Sequence, residues 1–456
     1  MPGRVQCGVL LREFISHSLY HPTKGFFNRR ATPVGRLPAP IDFPALPGAG
    51  AYKAIVAHVF RELGVSFLTP GEIFRPYYGH AVARWILEEH RRAARRAAPQ
   101  RLNLQVYELG AGRASLACDI LDYFRDHAAE VYGRMRYATV EASRELAGRQ
   151  RQAFDERGHG RVASVQQRDA STAAGWGRRD ARHCVVIATE VLDNMPHDRV
   201  VARAHGGVSE LHETWVVPRA DAAPQDWMDN ADGSSVIEEL RPLSDVLIRR
   251  TLAAYQSSRE SPDAWPALQA EARVSAGSRL GSFVDWLAGG SASSAASVRG
   301  SDEGDAILHL PTTATRFFDA LHAARPNHSL LMADFDALPG VQIPGVNAPL
   351  VSELIAGEGH RDHPSYLIPA GRADIFYPSD FPALCASYLS SAQHSKRAEE
   401  RAPRPSHADS TAQCSHEQSR SFLQRWAPWE RATTGSGYNP MLEEFPNTRF
   451  LTARSL

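Results

Sequence analysis

Between residues 102 and 191 the chain alternates strand-like and helix-like runs, and this alternation limits its fold more than any other feature. LNLQVYEL (102–109), MRYATVEAS (135–143), VASVQQRDA and HCVVIATEV (183–191) read as strands. RASLACDILDYFRDHAAEVYG and RELAGRQRQAFDERG read as helices between them. Strands separated by helices predict a parallel sheet with helices on both faces. HCVVIATEV is apolar on successive residues, as expected of a central strand covered on both sides. The 456 residues, 43% of them hydrophobic, are enough for a large α/β domain with insertions.

The first of these strands runs into ELGAGRASL, with Glu108, Gly110 and Gly112 at its carboxyl end and a helix behind them. Open α/β sheets bind ligands at that edge, near the reversal of strand order. Glycines let backbone approach a ligand, and the helix presents free N–H groups. A simple strand-to-helix turn is the competing account. A dinucleotide loop carries Gly or Ala at the sixth position of GxGxxG, where this chain has Ser115; that weighs against a nicotinamide cofactor. An acid just before GxG, here Glu108 with one residue between, suits S-adenosylmethionine (SAM), whose methionine moiety is cationic. The second strand ends in Glu141, which can accept both hydroxyls of a ribose. Asp169 ends the third strand, placed to face an adenine amino group. The fourth ends in ATEVLDNMPHD, where Glu190, Asp193 and His197 share the sheet edge.

The flanking segments add elements around that sheet. LLREFISHSLYHPTKGFF predicts a helix ended by His21-Pro22 and Gly25, and Tyr20, His21 and Gly25 can order a lid. The Pro-rich span 32–50 reads as a loop. YYGHAVARWILEEHRRAARRAA (77–98) is an amphipathic helix with Tyr78, Val82, Trp85 and Ile86 on its apolar face. VVARAHGGVSELHETWVVP predicts a hairpin around Gly206-Gly207. SLLMADF (329–335) resumes the strands, with Asp334 and Asp336 at its end. Residues 391–420 lack apolar content and read as disordered.

Lys+Arg 51 against Asp+Glu 51 leaves no net charge, which argues against a nucleic-acid partner. The five cysteines form no CxxC pair, so neither a zinc site nor a disulfide framework is expected. No run reaches the length of a membrane-spanning helix. The N-terminus shows no secretory or long mitochondrial presequence pattern.

Several blocks, in order, resemble the MidA-like family of SAM-dependent methyltransferases, which includes mitochondrial protein arginine methyltransferases of the complex I assembly factor type. They are FISHSLYHPTKGFF, FLTPGEIFRPYYGHAVARWI, YELGAGRASLACDIL, VEAS, IATEVLDNMPHD and GSGYNPMLEEFPNTRFL. The resemblance implies a Rossmann-like SAM methyltransferase sheet with an N-terminal helical segment and inserted and C-terminal elements. It divides the chain into an N-terminal segment and lid (1–100), a SAM-binding core (101–228), a helical and Ser/Gly-rich insertion (229–305), remaining core strands and helices (306–390), a disordered segment (391–420) and a C-terminal block (421–456).

It further implies arginine N-methylation of a respiratory complex I subunit in mitochondria, with SAM as cofactor; a cytoplasmic location is the alternative, and no metal is expected. Glu108, Gly110, Gly112, Glu141 and Asp169 would hold SAM. Glu190 and Asp193 would localise the guanidinium charge and accept its proton, with His197 as relay. Asp193 capping the turn and His197 merely packing there is the alternative. Ala111, Ala114 and Thr189 stand where the family pattern has Pro, Gly and Asn. Ala114 is expected to crowd the cofactor if its backbone is left-handed. A non-catalytic SAM-fold scaffold is the alternative function.

Overall fold

The computed structural model describes residues 8–29, 35–63, 68–96, 102–205, 208–219, 227–259, 305–355, 359–400 and 412–455. Its centre is a seven-stranded sheet: β1 Gln105–Leu109, β2 Arg136–Glu141, β3 Ala163–Gln167, β4 Cys184–Thr189, β5 His328–Phe335, β6 Gln413–Gln418 and β7 Thr448–Ser455. The order is β3-β2-β1-β4-β5-β7-β6. The first five strands are mutually parallel, and β7 runs antiparallel to both β5 and β6. β4 is therefore central, as its unbroken apolar run requires. The order reverses between β1 and β4, where a crevice opens at the strands' carboxyl ends.

Helices cover both faces. Tyr77–Arg96 (α2) and Ser115–His127 (α3) pack one side, where Tyr78, Val82, Trp85 and Ile86 join Ile120, Leu121 and Phe124 in one core. Thr312–Ala324 and Phe381–Glu400 pack the other, around Phe317, Phe318, Leu384 and Tyr388. The run 113–133 is interrupted at Ala128, which leaves helical backbone (φ −149°) before a short turn at Ala129–Tyr132. Arg144–Glu156 is α4, behind β2.

Two antiparallel sheets grow from the carboxyl edge. One holds Val9–Leu10, Asp198–His205, Val208–Pro218, Val236–Pro242 and Ala306–Leu310. His205 pairs with Val208, so the hairpin expected at Gly206-Gly207 is present, its two turn residues lying outside the described ones. The other holds Leu350–Ile355, Gly359–Asp362 and Asp374–Phe376. The N-terminal helix Leu11–Tyr20 (α1) is pinned to the first by Arg12, which pairs with Asp198 and Asp245 at 2.7 Å each. Its apolar side, Phe14, Ile15 and Leu19, packs with Ile375 of the second and with Tyr377 just after it.

Two expectations need correction or restriction. Residues 391–400 complete a helix, and 413–418 form β6 on the sheet edge, so much of the span read as disordered is structured. Hydrogen bonds to β7 hold β6 despite its polar sequence, and the polar end of the helix continues an apolar start at Phe381. Residues 401–411, and the Ser/Gly-rich part of the insertion (260–304), lie outside the described residues.

Candidate functional site

A cleft of about 920 Å³, open to solvent, lies where β1, β2 and β4 end. Its floor is the loop after β1. Gly110 and Gly112 both adopt left-handed backbone (φ 58° and 52°), which costs an L-residue about 1–2 kcal/mol and glycine little. A Cβ at Gly112 would meet nothing within 4 Å, so backbone itself faces the open space there. At Gly110 a Cβ would sit 2.8 Å from Val191 Cγ2, in the loop after β4.

Ala114 is also left-handed (φ 61°), yet it is fully buried in the core and does not line the cleft. The anticipated crowding of a cofactor by this residue therefore does not arise; the strain is local to the start of α3. Ala111 and Thr189, the other two departures from the family pattern, line the cleft.

Four carboxylates and one cation, Arg113, line the cleft among the described residues. Glu108, at the end of β1, is buried and accepts a hydrogen bond from the Tyr137 hydroxyl at 2.8 Å. Burial raises its pKa to about 7, against the effect of that hydrogen bond. Glu141, ending β2, accepts from the Ser143 N–H (2.8 Å) and from Gln150 Nε2 (3.0 Å). Burial lifts it to about 7 as well. Gln150, from α4, also donates to the Gly112 carbonyl at 3.1 Å and so ties the loop to this acid. Nothing in the polar run RELAGRQ marked Gln150 beforehand.

Glu190 follows β4 with left-handed backbone (φ 55°), and its N–H donates to the Ala333 carbonyl at 2.8 Å. Burial, then the nearby Asp334 and Asp193, push its carboxyl well above the usual range. The fourth carboxylate, Glu72, lies on the turn Pro70–Ile73, and the Thr69 hydroxyl caps that turn by accepting the Glu72 N–H. It belongs to the block FLTPGEIF, where nothing in the sequence marks it as a site residue. Tyr20 and Phe27 close the far wall; the Tyr20 hydroxyl donates to the Asn194 carbonyl at 3.0 Å. The N-terminal block thus borders the cleft, as a lid would.

Three sequence candidates lie elsewhere. Asp169 is exposed two residues beyond β3, does not line the cleft, and accepts the Ser171 N–H at 2.8 Å. Asp193 is likewise off the lining. Its carboxylate accepts the Asn194 N–H, its carbonyl accepts the Tyr377 N–H, and burial raises its pKa. His197 is a correction: it is buried, stacked on Tyr377 at 4.0 Å, with Nδ1 at 2.8 Å from the Met195 carbonyl. Burial drops its pKa to about 3, and it does not line the cleft. The clamp behind this loop is Asp334, whose Oδ2 accepts the Leu192 and Asp193 N–H groups at 2.9 and 3.1 Å.

Residues 81–397, more than half of the chain, match the family described as "Putative S-adenosyl-L-methionine-dependent methyltransferase". The chain belongs to this family. S-adenosylmethionine is the cofactor of that family. Over 259 residues it is 26% identical to the "Protein arginine methyltransferase NDUFAF7 homolog, mitochondrial" of Schizosaccharomyces pombe. That alignment takes in 55% of this chain, and the chain spans about half (47%) of the curated relative's length. The fold is shared with a crystal structure from Burkholderia thailandensis bound to S-adenosyl-homocysteine. There the TM-score is 0.55 at 17% identity, covering 98% of this chain and 88% of that one. A native crystal structure from the same organism gives 0.51 at 15% identity, with 98% and 87% covered. This methyltransferase family fits the cleft: a glycine loop with exposed backbone lies beside two buried carboxylates that can accept hydroxyl protons.

Proposed function

We propose that the cleft methylates a guanidinium nitrogen of a protein arginine. The observation that carries this reading is Glu190, a carboxylate in the methyltransferase cleft, held there by left-handed backbone and close to Asp334 and Asp193. The name of the fission-yeast relative supports the acceptor and a mitochondrial setting. A respiratory complex I subunit as substrate follows from the family resemblance.

Bound SAM supplies a methyl carbon made electrophilic by its sulfonium. In the proposed arrangement the Gly110–Gly112 backbone cradles the cofactor, Glu141 accepts its ribose hydroxyls, and Glu108 faces the cationic methionine end. A guanidinium, with a pKa above about 12, is a poor nucleophile until its charge is localised and a proton leaves. Glu190 is suited to both tasks. Its proton affinity is raised by burial, so it is a stronger base than an ordinary carboxylate once a guanidinium draws it into the ionised form. With methyl transfer the arginine nitrogen would give up an N–H proton, and Glu190 would accept it. Tyr20 and Phe27 exclude water from that step.

The test is methylation of arginine-containing peptides by the purified full chain, read by mass spectrometry, beside Glu190→Gln. The expected result is methylarginine with the native chain and a loss of about a hundredfold in kcat for the variant, with SAM affinity retained. Tight SAM binding without transfer to any arginine peptide would replace this reading with the non-catalytic scaffold.

A further inference from the structure

We infer that Cys385 and Cys414 form a dithiol site that reacts with a small-molecule disulfide of the glutathione class, and that the resulting cross-link staples the edge strand β6 to the helix behind it.

The two residues are 29 positions apart, yet their sulfurs lie 2.8 Å from each other, with the Cys414 S–H donating to Cys385 Sγ. Unbonded carbon atoms keep about 3.5–4.0 Å apart, and sulfur is larger, so these thiols are in closer than ordinary contact. A disulfide needs the sulfurs at about 2.05 Å, which side-chain rotation can supply. The other described thiols are placed differently. Cys118 and Cys184 are buried singly, each turned to a backbone carbonyl.

The same helix and strand meet at a second point. Phe381 lies one turn before Cys385, and its ring is 6.2 Å from that of His416, two residues after Cys414. Residues four apart on a helix share a face, as do residues two apart on a strand. The helix Phe381–Glu400 and β6 therefore turn one side to each other at both contacts. Burial along the strand agrees, since Gln413 and Ser415 are exposed while Cys414 and His416 are half-buried. Both backbones are also held from behind. All six residues of β6 pair with β7, and Leu384 and Tyr388 anchor the helix in the core.

The chemistry is thiol–disulfide exchange. Burial, then the hydrogen bond and charge of Cys385, push the Cys414 thiol up, so Cys414 keeps its proton while Cys385 reacts first. The Cys385 thiolate attacks oxidised glutathione: a mixed disulfide forms, the glutathione S–S bond breaks, and one glutathione leaves with the Cys385 proton. Cys414 sulfur then attacks Cys385 sulfur. The protein disulfide forms, the mixed disulfide breaks, and a second glutathione leaves with the Cys414 proton. Two electrons pass from the protein thiols to the oxidised glutathione, and reduced glutathione in excess reverses both steps.

β6 is the outer strand of the sheet, polar in sequence and paired only with β7. Such an edge opens more readily than the strands inside it. Tying residue 414 to residue 385 restricts the open state by closing a loop. Neither cysteine lines the cleft, so the staple acts on the sheet edge and stands apart from the methyltransferase site.

The experiment uses the reduced full chain, equilibrated with mixtures of reduced and oxidised glutathione, alkylated, digested and read by mass spectrometry. Cys385→Ser and Cys414→Ser are treated in parallel. The native chain should yield a Cys385–Cys414 cross-linked peptide, lighter by two hydrogens than the two thiol peptides, while Cys118 and Cys184 are alkylated only after unfolding. Cys414→Ser should instead carry glutathione on Cys385. In the cross-linked chain amide hydrogen exchange over residues 413–418 should slow by about tenfold or more. Dithiothreitol should restore the faster exchange, and S-adenosylmethionine affinity should be the same in both forms. Glutathione adducts without a cross-link, or two free thiols at every glutathione ratio, would overturn the site. So would a cross-link that forms as readily in urea as in the folded chain. Unchanged exchange over 413–418 would overturn the staple, and an altered S-adenosylmethionine affinity would overturn its separation from the cleft.

Discussion

The loops after β1 and β4 leave the same sheet edge through the same backbone device and use it oppositely. Gly110 and Glu190 each have φ near 55–58°. After β1 the left-handed residue has no side chain, so the backbone is what faces the cleft. After β4 it carries a carboxylate, and the unusual backbone aims that group inward at a strain of about 1–2 kcal/mol. The loops also interlock, since Val191 closes over Gly110. Behind β4, Asp334 holds the backbone of Leu192 and Asp193, so the acids near this strand end divide into one that faces the cleft and others that support it.

Breaking the interlock should have the largest effect. Gly110→Val forces a Cβ against Val191 and a β-branched residue into left-handed backbone, so calorimetry should show SAM affinity down by about a hundredfold or more. Equal affinities would remove this loop from the site. Glu190→Gly sharpens the contrast by making the second loop resemble the first. It should hold or raise stability, by up to about 1 kcal/mol in a urea melt, while kcat falls about a hundredfold. A stable variant with full activity would show that only the backbone matters at both strand ends.

The two buried acids give a pH signature. With pKa raised to about 7, Glu108 and Glu141 contribute stability below the ordinary carboxyl range, and that stability is lost as pH rises through about 7. A cofactor that meets their ionised forms reverses this: protons are released, and affinity rises between pH 6 and 8 by about tenfold for each responding group. Calorimetry in buffers of different ionisation enthalpy should detect the release; none would argue that these acids stay neutral in the complex. The smallest effect is expected at His197. His197→Phe keeps the stack on Tyr377 and loses the bond to Met195, so it should cost about 1 kcal/mol of stability. Its rate should change less than about threefold, with an unaltered pH profile; a lost alkaline or acidic limb would restore the relay.

The strand series was legible because each strand writes its burial into its own residues, and the apolar run of β4 marked the centre of the sheet. Gly110, Gly112, Glu108 and Glu141 were legible for a related reason. They sit within or directly beyond a strand, where direction is nearly fixed by the pleat. Legibility failed a few residues further on. Glu190 lines the cleft, whereas Asp193 and His197 turn into the scaffold, and the bonds that sort them come from Asp334, Asn194 and Tyr377. Glu72 escaped notice because the Leu37 N–H that it accepts comes from a separate segment. β6 was misread because its stability comes from pairing with β7 and not from apolar content.

The sequence alone determined the α/β sheet, the place of the glycine loop within it, and the blocks that mark the family. Tertiary structure decided which acids face the cleft and which hold it in shape. A carboxylate's type is local, but its direction and its proton affinity depend on burial and on partners distant in the chain. That is why Ala114, a suspected obstruction in the sequence, lies harmlessly in the core, and why Glu72, unremarked there, lines the cleft.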